Sequence, residues 1–273
     1  MKKASLLLMI VILLISSQLS LSNLSAYANS DSEGEGDYIT KSVDGGVAIV
    51  GYEGESKDID IPDKIEGQPV VAIEEKAFND KGLTSVKIPS TVTSIKNNAF
   101  SNNLLTSVEI PSSVTSIQNY AFTNNRLTRI DISSNITSIG TGAFFINQLT
   151  TVEIPSSVTV IEAEAFARNE LTHVTIPSSV KTIGELAFYQ NRIIKLEFEQ
   201  DPSSNLKTIG KKAFRKNKIP GVKIPSSVAT IEEAAFSYNQ LTSVEFEREA
   251  NKPNGDREIC ISSKFVNKYK NSI

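Results

Sequence analysis

Apolar residues in this chain return at a constant interval, while the polar residues between them vary. An Ala-Phe pair occurs eight times, and each pair follows the last by 22 residues except for a single step of 26. The phenylalanines of these pairs are Phe78, Phe100, Phe122, Phe144, Phe166, Phe188, Phe214 and Phe236. Such spacing is typical of a stack of similar coils, because each apolar side chain then packs on its counterpart one coil away.

Each coil also contains the pattern L-x-x-V-x-I or a conservative variant of it. The alternation V-x-I predicts a short strand, and the proline that follows in five of the eight coils would end that strand. Ile95, Ala99 and Phe100 have helical spacing, which predicts a turn or two of helix later in the coil. We therefore expect an α/β solenoid with one parallel sheet of short strands, short helices or turns, about eight coils of 22 residues, and a cap at each end.

One polar column is as regular as the apolar columns, and it lies three residues after each phenylalanine. Its members are Asn103, Asn125, Asn147, Asn169, Asn191, Asn217 and Asn239. Two interpretations fit this column: a row of ligand-binding amides, or a ladder that satisfies backbone groups at a repeated bend. Because buried peptide groups must find partners and an amide side chain both donates and accepts, we predict the structural ladder.

The beginning of the chain has the pattern of a secretory signal peptide. Lys2 and Lys3 precede ten apolar residues, Leu6–Ile15, and a small-x-small exit follows at residues 26–28. An uncleaved membrane anchor is the alternative, but the apolar run is short for a span, which needs about 20 residues. We expect cleavage after Ala28, no transmembrane span in the mature chain, and a secreted or cell-surface protein.

The rest of the chain divides into four parts by composition and periodicity. We expect an acidic disordered linker at 29–45, an N-terminal capping coil at 46–82, leucine-rich coils at 83–246 and a C-terminal cap at 247–273. The cap contains Cys260, the only cysteine, so no internal disulfide holds the fold.

Composition offers little support for catalysis. His173 is the only histidine, and it lies in a variable column that we expect to face outward. Zinc sites need clustered Cys and His, and neither a Gly-rich phosphate loop nor a calcium-loop motif occurs. The formal net charge of −3 gives no general attraction to nucleic acid. We therefore predict a protein that is not an enzyme and needs no metal or cofactor.

Two groups of residues are candidates for ligand binding. Large apolar side chains lie at variable positions near the phenylalanine column, at Tyr120, Phe145, Tyr189 and Tyr238. Cations lie together in one coil, where a short helix would present them on one face: Lys211, Lys212, Arg215 and Lys216. This basic coil either docks an anionic polymer or is an ordinary solvated surface. A third feature, an acidic row at Glu109, Asp131 and Glu153, could attract a cation, although Arg129 beside Asp131 weakens that idea.

The phrase LTSVEIPSSVTSIQNYAFTNN at 105–125 and its seven relatives resemble the BspA-like leucine-rich repeats, also called the TpLRR class. The resemblance covers about 47–246. It implies an exported or surface-displayed bacterial protein, and some members of the family are adhesins for host matrix proteins or for other cells. We therefore expect a non-catalytic adhesion protein that recognises a host matrix protein, another cell or a wall polymer. The alternative is a structural wall-associated protein that docks an anionic polymer through the basic coil.

Overall fold

A computed structural model describes residues 35–199, 204–247 and 260–261. In this structure the chain forms a parallel β-solenoid of about nine turns. Each coil is hydrogen-bonded to the next on three sides. We call these sides the back sheet, which contains the two-residue strands, the turn face, which surrounds the Ala-Phe pair, and the front face, which carries the V-x-I strands. Predictions that fall on residues 1–34, 200–203, 248–259 and 262–273 lie outside the described residues.

The described residues contain one short 3-10 helix, Glu35–Asp37, and eighteen short strands. The first six strands are β1 Tyr38–Val43, β2 Gly46–Tyr52, β3 Asp58–Asp60, β4 Lys64–Ile65, β5 Gln68–Ile73 and β6 Ser85–Lys87. The next six are β7 Ser94–Ile95, β8 Ser116–Ile117, β9 Ser138–Ile139, β10 Val160–Ile161, β11 His173–Ile176 and β12 Thr182–Ile183. The last six are β13 Lys195–Phe198, β14 Thr208–Ile209, β15 Gly221–Ile224, β16 Thr230–Ile231, β17 Ser243–Phe246 and β18 Cys260–Ile261.

The back sheet is the largest sheet, and it lies where the sequence predicted the start of a helix. Its twelve strands run in the order β1-β2-β5-β7-β8-β9-β10-β12-β14-β16-β18, with β4 beside β5. From β2 onward along this order the pairs are parallel, and from β5 onward they are in register, so that Ile95 lies against Ile117 and Ile117 against Ile139. These isoleucines are buried, and the two-residue strands are held by burial on one side and hydrogen bonds on both edges.

The front face carries the V-x-I strands, but they do not form the single sheet that we expected. The pairs β3-β6, β11-β13 and β15-β17 are separate two-stranded sheets, and isolated bridges join Glu109 to Asp131 and Asp131 to Glu153. The gap between β13 and β15 falls at the 26-residue step of the ring column. The continuous sheet of this solenoid is therefore the back sheet.

The short helices and the α/β class are not confirmed, because the described residues contain no α-helix. Around Phe100, for example, Ala99 N–H donates to Lys96 C=O and Ser101 N–H donates to Asn98 C=O, which makes two successive turns. Asn98 has a φ of 56°, in the left-handed region that interrupts a helix. The apolar spacing that resembled a helix comes from a chain that turns twice in a short distance.

Alternate peptide groups of the turn face point the same way along the stack. The N–H groups of Asn98, Phe100 and Asn102 donate to carbonyls of the next coil at 2.8–3.0 Å, and the carbonyls one residue earlier accept from the preceding coil. The same arrangement recurs at Phe122, Phe144, Phe166, Phe188 and Phe214. Each peptide has a dipole of about 3.5 D, so these aligned groups make the C-terminal direction of the turn face electropositive.

The core is built from the repeated columns. The Ala-Phe pairs are at most 2% exposed, and neighbouring phenylalanine rings stack with centroids 5.1–5.8 Å apart. Those distances are in the favourable range for offset aromatic stacking. Alanine is required beside each ring because its small side chain lets adjacent coils approach to hydrogen-bonding distance.

The N-terminal end closes the ring column. The predicted disorder at 29–45 is wrong for Tyr38–Val43, which form β1 and pair antiparallel with β2 through a turn at Asp44 and Gly45. The alternation of this segment and its β-branched residues favour a strand. Tyr52 packs its ring 5.6 Å from Phe78, and Tyr38 packs on Tyr52, so that two tyrosines cover the first phenylalanine.

Candidate functional site

The asparagine column lies buried between coils and hydrogen-bonds only to backbone. Asn147 is representative: its Oδ1 accepts from Leu127 N–H at 3.0 Å, and its Nδ2 donates to the carbonyls of Phe122 and Phe144 at 2.9 and 3.2 Å. The same bonds recur for Asn103, Asn125, Asn169, Asn191, Asn217 and Asn239. Since both ends of these amides are occupied by backbone, they have no free group for a ligand.

Directly before each asparagine lie the two positions that we call the turn stripe, one and two residues after the phenylalanine. The second of these has a positive φ of 53–58° in every coil from Asp80 to Tyr238. Its side chain therefore projects away from the coil, and Asn124, Arg168, Gln190, Lys216 and Tyr238 are all exposed in this column. The backbone makes this column a row of outward side chains with one member per coil.

The C-terminal half of the turn stripe combines aromatic rings with cations. The Arg168 guanidinium lies 5.6 Å from the centroid of the Phe145 ring, which belongs to the preceding coil. The Lys216 ammonium lies 5.6 Å from the Tyr189 ring, and the Arg215 guanidinium lies 4.8 Å from the Tyr238 ring. These are cation–π distances. Each pair joins two consecutive coils, so the rings fix the positions of the charges.

The structure thus joins two groups that the sequence treated as separate. Phe145, Tyr189 and Tyr238 from the aromatic group lie in the same stripe as Arg215 and Lys216 from the basic coil. Sequence reasoning did not select Arg168, which completes this set. The sequence contained the information needed to select Arg168, because this residue lies in the same repeat column as Lys216 and Tyr238.

The other predicted binding residues lie elsewhere. Tyr120 is two residues before its phenylalanine, and its ring lies so close over Gly142 that a β-carbon there would overlap it. Lys211 forms an ion pair with Glu233 at 3.3 Å, and Lys212 shares the half-buried, left-handed column of Tyr120. The predicted helix that would group Lys211 with Arg215 does not form, so the basic coil distributes its charges over more than one side.

The front face carries the acidic row and the histidine. The bridges place Glu109, Asp131 and Glu153 side by side, and Arg129 binds Asp131 with its guanidinium 2.9 Å from the carboxylate. His173 is exposed at the start of β11, with Nδ1 3.0 Å from Thr172 Oγ1. Within the described residues, no group of three or more His, Cys, Asp or Glu side chains is arranged to hold a metal ion.

Burial changes the titration of the tyrosines at the N-terminal end. Desolvation is the largest cause that raises the pKa of Tyr38 to about 12, and the neighbouring Tyr52, Asp37 and Asp60 contribute to the same rise. Burial likewise raises the pKa of Tyr52. These phenols therefore stay protonated and neutral at physiological pH, as expected for side chains that cover the end of an apolar column.

The fold and the ladder define a leucine-rich repeat protein, and comparison with known sequences identifies which kind. The profile of the BspA type leucine-rich repeat region matches residues 71–195 and 193–255 with six copies. These ranges cover more than half of the 273 residues, so the chain belongs to the BspA-type leucine-rich repeat family. No curated protein matches the chain.

One solved structure supports the same fold, and two others are similar in sequence at about the same level. The crystal structure of the pneumococcal vaccine antigen PcpA is similar with a TM-score of 0.55 and 21% identity, over 77% of this chain and 62% of that one. The chain therefore spans less than two thirds of the PcpA structure. A leucine-rich cell surface protein from Faecalibacterium prausnitzii has 21% identity and a TM-score of 0.32, over 83% of this chain and 97% of that one. The leucine-rich repeat protein TpLRR of T. pallidum has 20% identity and a TM-score of 0.40, over 79% and 82%.

Proposed function

We propose that this protein is a non-catalytic binding protein, secreted or held at the bacterial cell surface, that contacts its partner through the C-terminal half of the turn stripe. The partner would be a host matrix protein, another cell or a wall polymer. Membership of a repeat family with surface-protein neighbours supports the general role. None of the helical segments in the described residues has the length and hydrophobicity that a membrane span requires.

One observation carries the proposal: the interleaved rings and cations occupy one half of the stripe, and the other half has neither rings nor cations. Before coil Phe144 the stripe consists of small polar residues, namely Asn79, Asp80, Ser101, Asn102, Thr123 and Asn124. From Phe145 onward it contains Phe, Ile, Tyr, Arg and Lys. Tyr238 is exposed, and the rings of Phe145 and Tyr189 are half-buried beneath cations. Protein interfaces are enriched in Tyr and Arg.

Backbone strain at Ile146 supports the same location. Ile146 has a φ of 53°, a conformation that costs a β-branched side chain about 1–2 kcal/mol. The preceding two coils have Asn102 and Asn124 in this column, and asparagine adopts the left-handed region more easily. A protein that retains such a residue beside Phe145 accepts a loss of stability at a surface position, as is common at functional sites.

The alternative, a structural wall protein docked through the basic coil, has less support. Lys211 is paired with Glu233, so one of the four cations of this coil is already neutralised locally. Arg215 and Lys216 belong to both the stripe and the basic coil, so they do not distinguish the two hypotheses. The distinction is then whether contact depends on the stripe as a whole or on the charges of that single coil.

Binding of two matched variants tests the proposed site. The first variant changes Phe145, Tyr189 and Tyr238 to Ser, and the second changes Asn102 and Asn124 to Ala at exposed stripe positions of the other half. Purified protein would be titrated against host matrix proteins, intact cells and wall polymers, with thermal unfolding as a check on the fold. We expect the first variant to lose about tenfold or more in affinity and the second to lose little. Equal losses in both variants would exclude the stripe as the contact surface.

Export is tested separately, since residues 1–28 lie outside the described structure. Expression of the full chain in a bacterial host, followed by mass spectrometry of the protein in the medium and wall fractions, would locate the mature N-terminus. We expect that N-terminus at Asn29. Intact protein confined to the membrane fraction would instead indicate an uncleaved anchor.

A further inference from the structure

We propose that the partner of this stripe is a linear sulfated polysaccharide, bound along the stack from coil Phe144 to coil Phe236. The inference rests on the proposed function, because it names the ligand class of the same surface. Its basis is the way in which the rings and cations contact each other, and not merely their presence in one half of the stripe.

The rings hold cations and are not bare platforms. Arg168 covers Phe145 and Lys216 covers Tyr189, and both rings are half-buried. A ring that is covered in this way is poorly placed to enter a pocket on a partner protein, or to stack on nucleic-acid bases. It does restrict the motion of the cation above it, so a ligand that binds the cation encounters a side chain already ordered.

The charges of the stripe are complementary to an anion. Among the ten stripe positions of the five C-terminal coils there are three cations and no carboxylate. Arg168, Arg215 and Lys216 have no carboxylate partner within 4.0 Å in the part of the chain that the structure describes. Guanidinium groups bind sulfate-like and phosphate-like groups with two parallel hydrogen bonds.

The aligned peptide groups add to this preference. In the coils from Phe144 to Phe214, alternate turn-face N–H groups donate toward the C-terminal end of the stack. Arg215 and Lys216 lie in coil Phe214, one coil before the last phenylalanine of the ring column. Side-chain charge and backbone polarity therefore act in the same sense.

The shape of the row favours a stiff chain over a flexible one. Five coils at about 4.8 Å per coil give a straight row roughly 20 Å long, with the cations fixed by rings. A stiff polysaccharide with sulfate groups at regular intervals loses little conformational entropy on such a row, whereas a flexible polyphosphate must be ordered as it binds. Tyr238 is 70% exposed, and its hydroxyl is available to the sugar hydroxyls that such a polymer also carries.

A heparin oligosaccharide is the probe, with lipoteichoic acid and single-stranded oligo-dT as the competing ligands. The test variant carries Arg168→Gln, Arg215→Gln and Lys216→Gln. The control variant carries Lys57→Gln, Lys64→Gln and Arg126→Gln, which removes the same charge from exposed positions of the N-terminal half. Calorimetry would be run at low and at physiological salt, and unfolding curves would show that both variants fold.

We expect the test variant to lose at least about tenfold in affinity for heparin and the control variant less than about twofold. Binding of the unchanged protein should weaken as salt rises. Tyr189→Leu keeps every charge but removes the ring beneath Lys216, so it should weaken binding by about threefold. That last effect separates a fixed row of cations from a diffuse positive surface, which would not respond to the loss of a neutral ring.

Tighter binding of lipoteichoic acid or oligo-dT than of heparin would overturn the inference, as would equal losses in the two triple variants. If heparin does not bind but cells or matrix proteins still bind in a manner that depends on Phe145, Tyr189 and Tyr238, the ligand class is wrong and the proposed function stands. If neither binds through the stripe, both proposals fail.

Discussion

The two halves of the turn stripe have the same backbone and different side chains. Asn102 in the N-terminal half and Lys216 in the C-terminal half both have a φ of 58°, and the rings beneath them stack at 5.3 Å for Phe100 and Phe122 and 5.2 Å for Phe188 and Phe214. The exposed stripe residues differ, with Asp and Asn in one half and Arg, Gln, Lys and Tyr in the other.

This comparison shows that the buried columns determine the conformation and leave the stripe free to vary. Each coil is fixed by an isoleucine on the back sheet, a phenylalanine in the ring column and an asparagine in the ladder. None of these contacts involves an outward side chain. The change of surface chemistry along the stack is therefore not explained by how the two halves fold, which is consistent with our proposal that they differ in what they contact.

The largest expected effect tests whether the two halves have the same scaffold. Asn125→Ala and Asn169→Ala remove amides with matching partners: each accepts from a buried leucine N–H at 3.0–3.1 Å and donates to two phenylalanine carbonyls at 2.9–3.1 Å. Each substitution leaves buried backbone groups without partners, so we expect each to lower the free energy of unfolding by about 2–4 kcal/mol. Urea denaturation of the two variants measures it.

Because those two positions are equivalent, the two losses should agree within about 1 kcal/mol. A large loss at Asn125 with almost none at Asn169 would mean that the C-terminal coils are held by something other than the ladder, and the comparison between the halves would fail. Asn239→Ala should cause a smaller loss in the free energy of unfolding than either of these substitutions, because this amide is only partly buried near the end of the described stack.

Two substitutions that exchange a stripe residue between the halves should change the free energy of unfolding by a smaller amount and in opposite directions. Ile146→Asn replaces a β-branched residue in the left-handed region, and we expect it to raise the free energy of unfolding by about 1 kcal/mol. Asn124→Ile introduces the same strain and removes the Asn124–Asn102 side-chain hydrogen bond of 2.9 Å, so it should lower stability by about 1–2 kcal/mol. Thermal and urea unfolding of both variants would measure the pair of changes; a stabilising Asn124→Ile would contradict the argument from strain.

The smallest expected effect distinguishes the N-terminal end from the rest of the ring column. Tyr38 has a pKa of about 12 in the folded chain against 10.0 for a free phenol, so between these values the unfolded state loses the proton first. The unfolded state then binds fewer protons, and stability must fall as pH rises above 10. Tyr38 is partly exposed, which keeps the effect modest.

Unfolding at pH 8 and pH 11 with the unchanged protein and Tyr38→Phe would isolate this contribution. Tyr38→Phe should lose less stability between the two pH values than the unchanged protein, while Tyr52 accounts for part of the remainder. Identical pH dependence in the two proteins would show that Tyr38 titrates with an ordinary pKa.

The buried columns were predictable from the sequence because the same requirement recurs in every coil. The spacing of Phe100, Phe122 and Phe144 indicates a ring column, and the structure places these rings in one stack. The helix prediction failed because a double turn and a helix place apolar residues at similar intervals. The feature that separates them is backbone conformation at Asn98, and asparagine tolerates both a helix interior and the left-handed region.

The candidate site was only partly predictable, since it depends on contacts between neighbouring coils. Tyr189 and Lys216 are 27 positions apart in the chain and meet through the stacking of coils. Sequence reasoning that groups neighbours along the chain placed Lys216 with Lys211, which faces Glu233 instead. Grouping residues by column would have placed Arg168, Lys216 and Tyr238 together.

The common direction of the turn-face peptides has a consequence for how such a protein changes length. On the turn face, a coil presents carbonyls to the coil before it and N–H groups to the coil after it, so any two coils fit together in one order only. If a unit of 22 residues were duplicated, its N–H and carbonyl groups could pair with the coils on both sides of it. If one coil were lost, the two coils that then became adjacent could pair in the same way. The number of coils can thus grow or shrink by whole units during evolution, and with it the reach of the surface that the stack displays.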